Sequence, residues 1–246
     1  YGRMTHPEEI IEKIKDQSKT SQLSGSKILI TAGPTREPID PVRFMSNYSS
    51  GKMGYAIAMA AKAKGASVEL ISGPVALNPI TDIRTTYVET SSEMYEAVKE
   101  KVSDFDIFIS TAAIADYKPA NYSDTKYKKN ENNITIEFTR GIDILETISK
   151  KHKNLFTVGF AAETNSLKEN TQQKLAKKNL DLIVGNIANH ELKLGFESDY
   201  NEVIILSNTN SKKISHDKKS NIANKILDFI AIEYSNKLQL VKNNVK

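Results

Sequence analysis

Hydrophobic and polar residues alternate along the chain in blocks that predict strands and helices in turn. Short apolar runs predict strands at 27–32, 66–72, 106–113, 134–138, 155–161, 181–185 and 202–207. Apolar residues at helical spacing predict helices over 54–65, 91–102, 142–151, 166–178 and 217–235. Because strands and helices alternate, the pattern favours an α/β fold, with a Rossmann-like, mostly parallel sheet and helices on both faces.

The same pattern divides the chain into a main domain and smaller pieces. An amphipathic helix is predicted over 7–15 and a polar linker over 16–26, so residues 1–26 are expected to be an N-terminal appendage. The main domain is expected to span 27–235, followed by a polar C-terminal tail at 236–246. Within the domain, the polar stretch 116–133 interrupts the alternation and is expected to be an inserted flap.

Composition narrows the functional classes. The 246 residues are 39% hydrophobic, enough for one sizeable domain, and the lysines are mixed with carboxylates at a net charge of +4, so no nucleic-acid partner is predicted. No apolar run approaches the ~20 residues of a membrane span, and no signal peptide is visible. The absence of cysteine excludes disulfides and thiolate metal sites and fits a reducing cytoplasm. Because the chain opens with Tyr1 rather than Met, we expect a fragment of a longer protein.

The stretch SNYSSGKMG at 46–54 lies at the entrance to the first predicted helix. Ser49, Ser50, Gly51 and Lys52 offer hydroxyls, close backbone approach and charge at a helix N-terminus, where anions bind. These features predict a phosphate site, although a serine that merely caps the helix beside a solvated lysine is equally compatible. Neither a P-loop nor the dinucleotide fingerprint G-x-G-x-x-G is present.

The loop before this stretch and the flap carry further candidates. The loop over 33–51 contains three prolines, which would hold Arg36 and Arg43 in place for a phosphorylated substrate. In the flap, Asp116 follows a buried strand, and the lysines Lys126, Lys128 and Lys129 could close over a polyphosphate. A solvated surface loop is the alternative.

Two other features remain open from the residues alone. Tyr122 and Lys126 match the Tyr-x-x-x-Lys spacing of short-chain dehydrogenases, which makes an NAD(P)-dependent Rossmann-type reductase the alternative function. Lys174 and Lys178 share a helix face and would flank a triphosphate if they pointed into a cleft. Phe160 fits either the core or a nucleotide contact. The four histidines have no partner at ligand spacing, so no metal site is predicted within the protein itself.

Taken together, five blocks resemble bacterial phosphopantothenate–cysteine ligase, the synthetase half of the bifunctional coenzyme A biosynthesis protein. They are ITAGPTREPIDPVRFMSNYSSGKMGYAIA, AAIADYKPA, TKYKK, GFAAET and LDLIVGN, in order between Lys27 and Leu206. The segment GRMTHPEEII resembles the end of the preceding flavin-dependent decarboxylase half. Residues 1–26 are therefore expected to be a remnant of that half, and neither FMN nor decarboxylation is expected in this fragment.

The resemblance implies a reaction and its requirements. In this family 4′-phosphopantothenate reacts with CTP to an acyl-cytidylate with release of pyrophosphate, and the amine of L-cysteine then displaces CMP. The resemblance implies Mg²⁺ bound with CTP, a cytoplasmic homodimer, and fusion to a decarboxylase domain in the full protein. No nucleic acid and no membrane are expected as partners.

The resemblance also assigns residues by position. Asn47 matches the catalytic asparagine, with Arg43 and the flap residue Lys126 as further catalytic candidates, and the segment Ser49–Lys52 would bind phosphate or substrate. Nucleotide contacts are expected from Ser110, Thr111, Ala112, Asp116, Lys126, Ile142, Asp143, Ile144, Leu145, Phe160, Lys174 and Lys178. Two departures stand out: the family's Asn-Pro-Asp-Ile is Gly-Ile-Asp-Ile at 141–144, and its Ala-Asn-Asp is Gly-Asn-Ile at 185–187.

Overall fold

The computed structural model describes residues 6–7, 22–128, 133–163, 165–187 and 198–243. The helix predicted over 7–15 lies outside the described residues apart from Pro7, as does most of the linker that follows it. Leu23 is fully buried in the main core, so the described part of this N-terminal segment packs against the domain.

Twelve strands occur in the described residues, and eight of them form one sheet. The strands are β1 (Lys27–Ala32), β2 (Arg36–Pro38), β3 (Phe44–Ser46), β4 (Ser67–Ser72), β5 (Arg84–Tyr87), β6 (Ile107–Ser110), β7 (Tyr117–Pro119), β8 (Phe138–Arg140), β9 (Phe156–Glu163), β10 (Leu182–Ile187), β11 (Tyr200–Ser207) and β12 (Ser211–Lys218). The order in the large sheet is β12-β11-β10-β9-β6-β1-β4-β5. The neighbouring strands from β5 through β4, β1, β6 and β9 to β10 pair in parallel. Strand β11 pairs antiparallel with both β10 and β12. The mostly parallel sheet is confirmed.

Helices cover both faces of the sheet, as predicted. They are α1 (Lys52–Ala63), α2 (Ser91–Lys101), α3 (Ile144–Lys151), α4 (Leu167–Lys177) and α5 (Lys219–Asn243), with a short 3₁₀ turn at Val102–Asp104. Alternate residues of β1 supply the two cores. Ile28 and Ile30 pack with α1 and α5, whereas Leu29 packs with the core formed by α2, α3 and α4. The side chains of Ile28, Leu29 and Ile30 are all fully buried.

The structure corrects several boundaries. The edge strands β5 and β12 were not predicted, because only one side chain of β12, Ile214, is buried and β5 has none. The predicted strand 134–138 is wrong for 134–137, which are irregular, and β8 begins at Phe138. Helix α5 begins after β12 and continues past 235 to Asn243, so the described part of the predicted C-terminal tail is helical.

Candidate functional site

The site lies where the strand order reverses, beside β1. From β1 the sheet continues through β4 in one direction and through β6 in the other, which leaves a crevice outside the carboxyl ends of β1 and β6. The two loops that leave these strands are joined by backbone hydrogen bonds. Thr111 N donates to Thr31 O (3.1 Å), and Ala113 N donates to Gly33 O (2.9 Å). The floor of the crevice is therefore a continuous, hydrogen-bonded surface.

Helix α1 begins directly above this floor, and two glycines allow it. Gly51 has a φ of 75° at the N-cap, a left-handed conformation that glycine adopts without the strain of a side chain. At Gly54, an added Cβ would lie 2.5 Å from the Cβ of Ala32 and closer still to the Thr111 hydroxyl oxygen. Since real side chains do not approach so closely, a glycine is required here for the helix to pack on the end of β1.

A pocket of about 130 Å³ opens between the start of α1, the ends of β6, β9 and β10, and the start of α5. A small anionic group such as a phosphate would fit there, and a larger ligand would extend beyond the pocket. Seven of the predicted site residues line it: Ser49, Ser50, Gly51, Lys52, Thr111, Ala112 and Phe160. The structure thus brings together the predicted phosphate segment and part of the predicted nucleotide contacts.

Several lining residues were not among the predicted sites, notably Asn201 and Lys219. Both side chains are about 95% buried, with exposures of 5% each. Asn201 lies at a bulge in β11, and Lys219 is the first residue of α5. Their sequence context gave little signal, because lysines at the start of a predicted helix and asparagines beside a strand are usually exposed.

Positive charge dominates the pocket. Lys52 Nζ lies 2.7 Å from Asp199 Oδ1, and this hydrogen bond holds the pKa of Asp199 below its usual value. Burial, with a smaller contribution from nearby Lys52, lowers the pKa of Lys219 to about 8. Lys52 and Lys219 thus lie near each other and near Asp199, at the start of two helices whose dipoles add partial positive charge. An anionic group is the ligand that such a pocket favours.

Asn47 lies against the segment that carries Asp116. Its Nδ2 donates to the backbone oxygens of Ala113 (3.0 Å) and Ile114 (3.2 Å), so the amide joins the loop after β1 to the loop after β6. Ser110 is buried at the end of β6, and Asp116 is exposed just beyond the second carbonyl. The predicted catalytic asparagine and the predicted nucleotide carboxylate therefore share one rim of the sheet.

Arg43 contacts the flap, and it does not line the pocket. Its Nη2 donates to the backbone oxygen of Tyr127 at 3.1 Å. Buried Asp40 accepts from the backbone N–H groups of Val42 (2.8 Å), Arg43 (2.8 Å) and Tyr127 (3.3 Å). Burial alone would raise the pKa of Asp40, but these hydrogen bonds outweigh it and the pKa is lowered. The described flap is thus tied to the loop before α1, with Lys126 exposed beside the contact.

The remaining predicted nucleotide contacts form a second cluster between α3 and α4. Lys178 Nζ lies 2.7 Å from Oδ2 of Asp143, which also caps α3 by accepting from Glu146 N (3.0 Å). Lys174 Nζ lies 2.7 Å from Glu163 Oε1. The side chains of Ile144 and Leu145 are buried in the core and Ile142 is exposed, so contacts to a ligand from 144–145 would come from the backbone. None of these residues lines the pocket.

The geometry does not favour the reductase alternative. Residues 120–128, which include Tyr122 and Lys126, are irregular, so the pair does not lie one helical turn apart. Within the described residues no group of three or more potential ligand side chains could hold a metal ion. No described helix is long and apolar enough to cross a membrane.

Comparisons with known proteins identify similar chains. The family model of the DNA/pantothenate metabolism flavoprotein C-terminal domain matches residues 23–233. The chain is 42% identical over 229 residues to the coenzyme A biosynthesis bifunctional protein CoaBC of Vibrio vulnificus (strain CMCP6), covering 92% of this chain and 57% of that protein. The protein of the same name in Bacillus subtilis (strain 168) is 44% identical over 216 residues, covering 86% and 53%.

A solved structure is similar over nearly its whole length. The crystal structure of the C-terminal domain of coenzyme A biosynthesis bifunctional protein CoaBC superposes with a TM-score of 0.75 at 39% identity, covering 88% of this chain and 99% of that one. The chain therefore spans little more than half the length of the curated relatives that it matches, and corresponds to their C-terminal part.

Proposed function

The chain belongs to the family of DNA/pantothenate metabolism flavoprotein C-terminal domains, and from that premise we propose that it ligates 4′-phosphopantothenate to L-cysteine with CTP. One observation of the structure carries the proposal. A small cationic pocket at the start of α1 adjoins the rim where Asn47 contacts the segment bearing Asp116. A phosphate-binding pocket beside an amide donor is what activation of a carboxylate by a nucleotide requires.

In the first step a carboxylate oxygen of 4′-phosphopantothenate attacks the α-phosphorus of CTP. The P–O bond to the β-phosphate breaks, and pyrophosphate leaves with the bonding electron pair. The N-terminal N–H groups of α1, with Lys52, hold the phosphates as negative charge moves onto the leaving group. Orienting both reactants in one crevice removes much of the entropic cost of their encounter.

In the second step the cysteine amine attacks the acyl carbon, the C–O bond to the cytidylate breaks, and CMP leaves with the proton that the amine loses. Asn47 lies at this rim, where its Nδ2 donates to the carbonyl oxygens of Ala113 (3.0 Å) and Ile114 (3.2 Å), and it would exchange one of these acceptors for the acyl oxygen. An amide can donate to a developing oxyanion without changing its own protonation state. We assign Asn47 to the acyl group of the intermediate.

The other predicted contacts act around this centre. Lys126 lies exposed beside the flap contact of Arg43 and would reach the nucleotide when the flap closes. Lys174 and Lys178 are paired with carboxylates at 2.7 Å, so they would bind a nucleotide by exchanging those partners. The proposal for these lysines rests on their position in the family's motifs.

We propose that Mg²⁺ is held at this site mainly by the phosphate oxygens of the nucleotide. It usually binds through one or two carboxylates together with substrate phosphates, and the carboxylate of Asp199 lies 2.7 Å from Lys52, a residue of the pocket. When bound, Mg²⁺ neutralises charge on the leaving phosphates. We propose no further metal ligand among the described residues.

A homodimer is also proposed. Outside the large sheet, β2 pairs with β3 and β7 pairs with β8, which makes two small hairpins. In and beside these hairpins and in the flap, seven large hydrophobic side chains are at least 40% exposed: Val42, Phe44, Tyr48, Tyr117, Tyr122, Ile134 and Phe138. Strand β2 of one hairpin contacts β7 of the other, so these residues belong to neighbouring elements. Such a patch supports an interface with a second copy. In the full protein we propose a fused decarboxylase domain and a cytoplasmic location.

The proposal is tested by mixing the protein with Mg²⁺, CTP, 4′-phosphopantothenate and cysteine and following pyrophosphate and CMP. We expect both products together with the cysteine adduct, and pyrophosphate but no adduct when cysteine is omitted. Lys52→Met should slow pyrophosphate release. Lys62→Met is the matched control, because Lys62 forms a similar ion pair on the same helix, 2.9 Å from Asp82, outside the pocket. A folded protein that forms neither product would overturn the proposal.

A further inference from the structure

Asn201 is a polar residue in an otherwise apolar row of β11. Because side chains alternate along a strand, Asn201, Val203 and Ile205 face the same side of the sheet. Val203 and Ile205 are buried in the core beside α1 and α5. Asn201 is only 5% exposed, although asparagine is mostly an exposed residue. An amide at this position therefore requires a physical reason.

The structure uses only one half of the Asn201 amide. Its Oδ1 accepts from the backbone N–H of Glu202 at 3.0 Å. This contact identifies the oxygen, and so the other atom of the amide is the nitrogen, with two N–H donors. Among the residues that the structure describes, this nitrogen donates to no acceptor. Because donors so deep in a protein usually have a partner, the nitrogen is available to a ligand.

The Asn201 side chain lines the pocket of about 130 Å³ at the start of α1. Met53 and Gly54, in the first turn of α1, line the same pocket, and the N-cap residue Gly51 has no side chain that could accept from this turn. N–H groups at a helix start bind anions. Two different elements, β11 and α1, thus supply donors to one small space, and a phosphate group has enough acceptor oxygens for both.

We infer that the Asn201 side chain donates to a phosphate oxygen of a bound substrate, together with the first turn of α1. This inference rests on the proposed function and adds to it a residue of β11, a strand to which none of the predicted site residues belongs. CTP and 4′-phosphopantothenate both carry phosphate, and the donors suit either of them. The experiment distinguishes these two sources.

Binding is measured by calorimetry with three probes: inorganic pyrophosphate, CTP with Mg²⁺, and 4′-phosphopantothenate. Asn201→Asp keeps an oxygen that accepts from Glu202 N and replaces the two N–H donors with a negatively charged oxygen. We expect this variant to weaken the binding of pyrophosphate, and of the one substrate whose phosphate lies in the pocket, about tenfold or more. The other substrate should keep its native affinity.

Two further variants separate the lost donor from the added charge. Asn201→Ala removes the donor without adding charge, and should weaken the same two ligands by a smaller factor. Asn208→Asp is the matched control, because it adds the same charge in the turn between β11 and β12, outside the pocket. It should bind all three probes like the native chain. Thermal unfolding checks that each variant is folded.

The results decide the inference and the function separately. Weakening of CTP alone, or of 4′-phosphopantothenate alone, supports the inference and identifies the source of the phosphate. Unchanged affinities in both Asn201 variants would overturn it and leave the ligase proposal standing, because the amide would then hold only water. Weakening confined to Asn201→Asp, or equal weakening of both substrates, would indicate added charge or a distorted site and would also overturn it.

The pyrophosphate probe covers the case in which the proposed function is wrong. A native chain that binds pyrophosphate but neither substrate would contradict the ligase proposal, and the effect of Asn201→Ala on pyrophosphate alone would then decide the role of Asn201. A native chain that binds none of the three probes would contradict both.

Discussion

Replacing Gly54 with alanine tests whether the close packing of α1 on β1 positions the site. The new methyl carbon would lie 2.5 Å from the Cβ of Ala32 and would also overlap the hydroxyl of Thr111. Since carbon atoms in contact lie about 3.5–4.0 Å apart, α1 and β1 must separate by about 1 Å. The start of α1 would move with them, and with it Gly51 and Lys52 at the pocket.

The expected effects on stability and activity differ in size. Overpacking costs about 1–3 kcal/mol, and the gain in helix propensity from glycine to alanine returns at most about 1 kcal/mol. The net loss of about 0–3 kcal/mol would lower Tm by no more than about 12 °C. A displacement of about 1 Å at the phosphates, however, can reduce the rate about 100-fold. Gly54→Ala should therefore remain folded and lose most of its pyrophosphate release.

The assay pairs thermal unfolding by circular dichroism with CTP-dependent pyrophosphate release below Tm. The double variant Gly54→Ala/Ala32→Gly removes one of the overlapping atoms and should recover part of the activity, even though glycine weakens the strand. Activity of Gly54→Ala within twofold of the native chain would refute the reasoning, because the helix would then not need its close approach to β1.

Three further predictions follow from single contacts. Asn47→Asp should still release pyrophosphate but form little cysteine adduct, because the carboxylate cannot donate to the acyl oxygen; equal loss of both half-reactions in rapid-quench assays would contradict the role of Asn47. For Lys219 the unfolded pKa of 10.5 exceeds the folded value of about 8. Between pH 8 and 10.5 the unfolded state therefore binds more protons than the folded state. The free energy of unfolding should rise with pH in this range, by at most about 3 kcal/mol more than in Lys219→Met. Urea unfolding at several pH values measures this difference. Thr90→Ala should lower the free energy of unfolding by about 1 kcal/mol, because Thr90 Oγ1 caps α2 by accepting from Glu93 N at 3.1 Å. Ser92→Ala, in the exposed first turn of the same helix, is the control. Equal effects of the two substitutions would argue against the cap.

Much of the fold follows from local sequence pattern. The central strand β1 coincides with its predicted range 27–32, because strands buried on both faces read as continuous apolar runs. The edge strand β12 has no such run: only Ile214 is buried, and its pairing with β11 comes from tertiary structure. The strand could not be recognised from hydrophobicity alone.

The candidate site likewise contains residues that could be predicted from local sequence and residues that could not. Ser49 to Lys52 could be predicted because glycine, hydroxyl and lysine residues at a helix start have a direct physical reason to bind anions. Lys219 and Asn201 could not, since their burial depends on how α5 and β11 pack beside a helix that lies about 150 residues earlier in the chain. The ion pairs of Lys174 and Lys178 were also beyond prediction, because helical spacing does not say which carboxylates a face will meet.

The central claim is that a nucleotide activates the carboxylate as an acyl-cytidylate, and an isotope experiment tests it most directly. 4′-Phosphopantothenate labelled with ¹⁸O in both carboxylate oxygens is incubated with the protein, Mg²⁺, CTP and cysteine, and the products are analysed by mass spectrometry. The account predicts one ¹⁸O atom in the phosphate of CMP and one in the new amide. Unlabelled CMP, with the label in inorganic phosphate or pyrophosphate, would contradict it.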